Sequence, residues 1–234
     1  MNRLLGPPPC ARISCVICAF NEEAGIGAVL EIVSRHPLLN EVIVVDDGSS
    51  DDTAEIVRRY PSVQLLSQPL NQGKSAAMAT GIAASRAEWL MLLDANLTGL
   101  TAAHITALTE PVRSGRAEIS LSLRQNSLRL YRALGIDFVS GERVLRRALV
   151  EPELTALYGL PRFGVEVFIN DQIVAAHLKI AVIDWHGVEQ TRKKSYWKNM
   201  QTTWRMLTEL LEVVAPLTLL CQIWHMRSLR VRSE

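Results

Sequence analysis

Net charge, aromatic residues and long apolar runs are all scarce in this chain of 234 residues. The formal charge is +1, from 25 Lys and Arg against 24 Asp and Glu. No global positive field therefore exists to gather phosphates, which excludes a strongly basic nucleic-acid binder. Disorder is excluded as well, since 48% hydrophobic content at so small a net charge suffices for a core. No stretch approaches the ~20 apolar residues of a spanning helix. The charge-free run at 213–224 is too short and contains Pro216. The N-terminus, with Arg3 and Pro7 to Pro9, lacks the apolar region of a secretory signal, so a cytoplasmic location is expected.

Cysteine is also sparse, at positions 10, 15, 18 and 221. Cys15 and Cys18 form a CxxC, but they lie in the apolar run 13–20, which reads as a buried strand. Residues three apart on a strand face opposite ways, and no second Cys or His pair is near enough to complete a zinc site. They read as core thiols.

What is present is alternation. Short apolar runs at 13–19, 42–46, 63–67, 89–93 and 119–123 are separated by helical patterns at 26–36, 53–60, 74–85 and 102–114. This is the signature of βα units and predicts an α/β fold with a mostly parallel central sheet flanked by helices. In such sheets ligands bind beyond the carboxyl ends of the strands. Those ends carry Asn21-Glu22-Glu23, Asp46-Asp47-Gly48-Ser49, Asn71-Gln72-Gly73-Lys74 and Asp94-Ala95-Asn96. Acids, amides and a lysine converging on one edge make a polar site.

Two nucleotide motifs fail on inspection. Gly73-Lys74-Ser75 resembles the end of a P-loop, but the glycine required five positions earlier is Gln68. Gly25-Ile26-Gly27 resembles a dinucleotide fingerprint, yet Leu30 stands where its third glycine belongs.

In order and spacing, residues 13–190 resemble the family-2 glycosyltransferases with the GT-A fold, the dolichol- and polyprenyl-phosphate sugar transferases in particular. The resemblance rests on Val16-Ile17-Cys18-Ala19-Phe20-Asn21-Glu22, Val45-Asp46-Asp47-Gly48-Ser49, Asn71-Gln72-Gly73-Lys74, Leu93-Asp94-Ala95-Asn96 and Ser140-Gly141-Glu142-Arg143. It implies transfer of a sugar from a nucleotide-diphosphate donor, UDP- or GDP-linked, to a lipid-linked or small-molecule acceptor, with inversion. Carried over, it assigns the nucleoside to Ala19, Phe20, Asn21, Glu22, Asp46 and Asp47. Lys74 opens a helix, where a bound anion offsets the unfavourable macrodipole, and is expected to reach donor phosphate or ribose. Arg124, after the fifth strand, is expected to meet a phosphate.

Asp94 and Asn96 fall at the family's Asp-x-Asp metal motif, which holds Mg²⁺ or Mn²⁺ against the leaving diphosphate. Here the second acid is an amide, which coordinates through its carbonyl oxygen but brings no charge. Glu142 and Glu166 are the carboxylates at positions matching acceptor-side motifs, with Glu166 the stronger candidate base because it opens an otherwise apolar helical stretch. Asp171 reads as solvated, and Asp51 and Asp52 as helix N-cap acids.

The chain is expected to divide into an irregular arm at 1–11, a GT-A domain at 12–190 and an amphipathic helical segment at 191–234. From Lys179 onward there are nine Lys and Arg against five Asp and Glu. Trp197, Met200, Trp204, Leu207 and Leu211 form one apolar helical stripe in the last segment, fit either to pack on the sheet or to lie on an anionic membrane. A non-catalytic nucleotide-sugar binder remains the alternative function. A nucleotidyltransferase is disfavoured because the loop after the first strand is acidic rather than glycine-rich and basic.

Overall fold

The computed structural model describes residues 12–125, 127, 129–160, 164–190 and 215–231. The expected arm at 1–11 and the stripe from Trp197 to Leu211 lie outside them.

The first half is built as the alternation predicts. Strands β1 (Ile13–Ala19), β2 (Glu41–Asp46), β3 (Val63–Ser67) and β4 (Trp89–Asp94) alternate with helices α1 (Ile26–Val33), α2 (Thr53–Arg58) and α3 (Lys74–Ala84). A two-residue strand β5 (Leu97–Thr98) precedes α4 (Ala102–Arg113) and β6 (Ile119–Arg124). Then follow α5 (Arg129–Leu134), β7 (Arg143–Arg146), α6 (Leu154–Tyr158), α7 (Gly164–Ala175), β8 (Ile180–Trp185), β9 (Glu189–Gln190) and α8 (Pro216–Ser228).

Seven strands form one sheet in the order β3-β2-β1-β4-β7-β6-β8. All neighbouring pairs are parallel except those of β7, which runs antiparallel to both β4 and β6. Burial on both faces explains the near-continuous apolar runs of β1, β2 and β4. Alternate residues of β1 divide between the faces. Cys15, Ile17 and Ala19 pack with Val29, Leu30 and Val33 of α1 and with Ile105 and Leu108 of α4. Val16 packs with Met78 and Ile82 of α3 and shares its cluster with Val167 of α7 and Leu219 of α8. The two cysteines of the CxxC therefore belong to opposite layers, and burial raises both thiol pKa values, that of Cys18 to about 12.

Helix α3 is a run of small residues, KSAAMATGIAA, and it lies close against the sheet. A Cβ at Gly81 would collide with Val16, so only glycine lets the helix approach this near. That closeness sets where Lys74 begins. The described part of the C-terminal segment packs α8 onto α7. Among the described residues no helix is long and apolar enough to cross a membrane.

Candidate active site

Parallel register brings the strand ends together: Ala19 pairs with Asp46, and Cys18 with Asp94. The loops after β1 and β2 are then laced to each other. Asn21, at a positive φ of 54°, donates its N–H to Ser49 Oγ at 2.9 Å and accepts from Ser50 N at 2.8 Å through Oδ1. Glu22 N–H donates to Thr53 Oγ1 at 2.8 Å. Asp51, rather than the N-cap residue Asp52, caps α2, accepting from Thr53 N at 3.0 Å, and it also accepts from Glu23 N.

Both aspartates at the end of β2 are buried and hold backbone. Asp46 accepts from Ser49 N at 3.1 Å. Asp47 accepts from Gln72 N at 2.8 Å and Gly73 N at 2.9 Å, one through each oxygen. Gly73 adopts φ +93°, which L side chains rarely reach, and delivers Lys74 as the first residue of α3. Asp47 thus pins the turn that aims Lys74, a structural task in addition to the expected nucleoside contact. Phe20 is exposed on the same rim.

Lys74 Nζ lies 3.0 Å from Asp94 Oδ1 and 2.8 Å from Glu166 Oε1. Arg124 NH1 is 3.5 Å from Asp94 Oδ2 and forms an ion pair with Glu142. Burial works against the charge of Lys74, but Asp94 and Glu166 outweigh it and hold the ammonium above the ordinary lysine range. Burial likewise raises Asp94, yet Lys74 and Arg124 prevail and bring its carboxyl down to about 2. For Glu142 burial wins, raising its carboxyl above the usual value although Arg124 opposes the shift. Two hydroxyls, Ser122 Oγ at 2.7 Å and Ser140 Oγ at 2.8 Å, donate to Glu142 Oε2. Buried charges in such number cost desolvation energy, so their concentration at a strand edge marks function rather than stability.

All the expected catalytic carboxylates, Asp94, Glu142 and Glu166, converge with Lys74 and Arg124. Glu166 faces the site rather than capping its helix: it is 2% exposed in the first turn of α7, and its Oε2 is buried without a partner. Gly141 is squeezed against Asp94, where a Cβ would stand 2.5 Å from Oδ1. Four contributors carry no role expected from the sequence, although Ser140 and Arg143 stand in the Ser140-Gly141-Glu142-Arg143 motif. Ser122, Ser140 and the buried Arg143 surround Glu142, and Gln190 of β9 donates to Asp94 Oδ2 at 3.1 Å. Ser120, Ser122 and Arg124 alternate along the buried strand β6, a period-two polar face that signals such a lining.

At the expected metal position, Asn96 Nδ2 donates to Glu22 Oε1 at 3.3 Å, while Asn96 Oδ1 is buried with no partner. An orphaned carbonyl oxygen two residues from a carboxylate suits a hard cation. No group of three or more His, Cys, Asp or Glu fit to hold a metal occurs among the described residues. Asp94 and Asn96 would supply a cation with two protein oxygens, phosphate oxygens and water completing its sphere.

Residues 14–126 match the model of glycosyl transferase family 2. The match spans just under half of the chain. The chain is 40% identical over 94 residues to a dolichyl-phosphate beta-glucosyltransferase of Trichomonas vaginalis, covering 35% of this chain and 28% of the relative. A dodecaprenyl-phosphate galacturonate synthase of Rhizobium johnstonii is 32% identical over 100 residues, covering 39% and 30%. The chain thus matches less than a third of the length of these curated relatives. Glucosyl-3-phosphoglycerate synthase of Mycobacterium tuberculosis, solved with Mn²⁺, UDP and glucosyl-3-phosphoglycerate, superposes with a TM-score of 0.69 at 24% identity, covering 87% of this chain and 80% of that one. The chain therefore has a GT-A-like fold.

Proposed function

We propose that the protein transfers a sugar from a UDP- or GDP-linked donor to a lipid-phosphate acceptor, with inversion at the anomeric carbon. The observation that carries this reading is the placement of two cations, Lys74 and Arg124, on either side of Asp94, beside a buried Glu166 with an unused oxygen. The names of two relatives, a dolichyl-phosphate glucosyltransferase and a dodecaprenyl-phosphate galacturonate synthase, support the acceptor class, and the UDP bound in the solved glucosyl-3-phosphoglycerate synthase supports the donor class.

In this reading the rim formed by Ala19, Phe20, Asn21, Glu22, Asp46 and Asp47 takes the nucleoside, with the exposed Phe20 ring offering a flat face to the base. Lys74 and Arg124 meet the diphosphate. Asp94 and Asn96 would hold Mg²⁺ or Mn²⁺, which when bound would supply Lewis-acid stabilisation of the departing charge. The acceptor oxygen forms the new bond to the anomeric carbon as the carbon–oxygen bond to the diphosphate breaks, and the electron pair leaves on the nucleoside diphosphate. An ionised phosphate acceptor needs no base; a hydroxyl gives its proton to Glu166. Glu142 fixes Arg124 and keeps the acceptor side polar.

A cytoplasmic protein acting on such an acceptor meets a membrane surface peripherally. Helix α8 supports this, since it turns Leu217, Leu220 and Trp224 to solvent and carries no acid, with His225 and Arg227 in its last turn.

The test is release of nucleoside diphosphate from UDP-glucose and from GDP-mannose, with and without a polyprenyl phosphate in detergent. The expected outcome is turnover of one donor, increased by the lipid and lost in Asp94→Ala. The amide at Asn96 favours the second reading, a nucleotide-sugar binder without catalysis, and nucleotide binding with no turnover of either donor would establish it instead.

A further inference from the structure

The sequence sets the C-terminal segment apart from the catalytic domain, yet α8 delivers a buried polar side chain into the scaffold of the site. Gln222 is 4% exposed. Its Nε2 donates to Val167 O at 3.2 Å and to Asp171 Oδ1 at 2.7 Å, spanning one turn of α7 directly after Glu166. Its Oε1 accepts from Asn170 Nδ2 at 3.4 Å. Asn170 is itself fully buried; its Nδ2 also donates to Phe138 O at 2.7 Å, and its Oδ1 accepts from Arg143 NH1 at 3.2 Å. Arg143 Nε donates to Ser140 O at 3.1 Å, and Ser140 Oγ holds Glu142. One amide on α8 is thereby joined through buried hydrogen bonds to the supports of both acceptor-side carboxylates.

Apolar packing would seat α8 without Gln222. Leu219 and Met226 already fill the cluster that contains Val165 and Val167 of α7. A glutamine at the centre of that contact fixes instead the rotation and height of α7, because its two donated bonds admit one register. Rotation of α7 decides whether Glu166 points at Lys74.

We infer that Gln222 is a positioning residue for the sugar-transfer site: it locks α7 so that Glu166 meets Lys74, and it steadies Glu142 through Asn170, Arg143 and Ser140. The inference rests on the glycosyltransferase reading above. It makes α8 part of the catalytic scaffold.

The test uses the full chain and donor hydrolysis, with UDP-glucose and GDP-mannose as probes. Gln222→Met, close in volume but without donors, is expected to lower kcat about tenfold while the donor KM stays within about twofold, since misplacement of a reacting group acts on the chemical step. The acid limb of its pH–rate profile shifts with it. Gln222→Lys restores donation to Val167 O and Asp171 and is expected to recover most of kcat. Asp171→Ala, at an exposed position, keeps the fold and is expected to lose several-fold in kcat, as it removes the shorter bond. If Gln222→Met keeps the wild-type kcat, or if Gln222→Met and Gln222→Lys lose activity equally and only in step with Tm, the positioning role is overturned and the glycosyltransferase reading stands. Absence of wild-type turnover with either donor would overturn both.

Discussion

Lys74 Nζ bridges Asp94 Oδ1 at 3.0 Å and Glu166 Oε1 at 2.8 Å, tying the end of the fourth strand to the first turn of α7, where Glu166 lies 92 residues on from the lysine. In the proposed function this single ammonium joins the donor side of the site to the acceptor side. Its position follows from the chain in steps: Asp47 fixes the turn, Gly73 supplies the left-handed backbone, and the small residues of α3 press the helix onto the sheet.

Replacing Lys74 with Met keeps the stem and removes the charge. Asp94 then retains Arg124, whereas Glu166 has no other ion-pair partner among the described residues. We expect a stability loss of about 1–2 kcal/mol, below the scale for removing one partner of a fully buried pair because the lysine side chain is 34% exposed. Nucleoside diphosphate affinity should fall by about tenfold or more, since a charge-assisted phosphate contact disappears. Denaturant melts and calorimetry measure the two effects separately.

Asp94 makes stability depend on pH in a defined window. Its folded carboxyl titrates near 2, below the ordinary aspartate value of 3.8. A depressed carboxyl contributes stability that is present above the unfolded pKa and lost as pH falls through the folded one. Wild type should therefore lose about 2 kcal/mol between pH 5 and pH 2 from this group. Asp94→Asn should lack that increment, which a comparison of urea midpoints across the window will reveal.

Gly141 touches Asp94 so closely that any side chain displaces the carboxylate. Gly141→Ala should cost about 1–3 kcal/mol by overpacking and reduce turnover at least as strongly as its effect on Tm predicts. An alanine variant with full activity would mean that the loop around Gly141 yields without moving Asp94.

Asn96→Asp restores the missing acid where Asn96 Oδ1 lies unpartnered. A second carboxylate should tighten Mn²⁺ binding by about tenfold or more, because ligand charge sets the affinity of a hard-cation site. Titration of both proteins with Mn²⁺ in the presence of UDP checks this.

The elements that positioned the first half of the site were legible because each carries its own periodicity. Strands β1 and β3 run as expected, and the runs at 42–46, 89–93 and 119–123 each lengthen by one residue. The expected helix at 26–36 ends earlier, at Val33, and the one at 53–60 ends at Arg58. Strand β7 was not legible: it is the four residues RVLR, with arginine at both ends. Arg143 is buried by bonds to Ser140 and Asn170, and Arg146 lies over the Trp89 ring at 4.5 Å, so tertiary partners rather than hydropathy make this a strand. Its antiparallel insertion between β4 and β6 is what carries Glu142 to Asp94. Asp171 is exposed, as expected, but it also accepts a bond from Gln222, which nothing local signals from a partner 51 residues away. Gln190 was missed for the same reason, being held beside Asp94 by the two-residue pairing of β9 with β5.

The central claim is that the strand edge around Asp94 and Lys74 binds a nucleoside diphosphate. Isothermal titration of the full chain with UDP and with GDP, each with and without Mn²⁺, tests it most directly. The account predicts saturable binding of one nucleotide, tightened by Mn²⁺ and weakened in Lys74→Met. Absence of binding to either nucleotide, or binding unaltered by Lys74→Met, would contradict it.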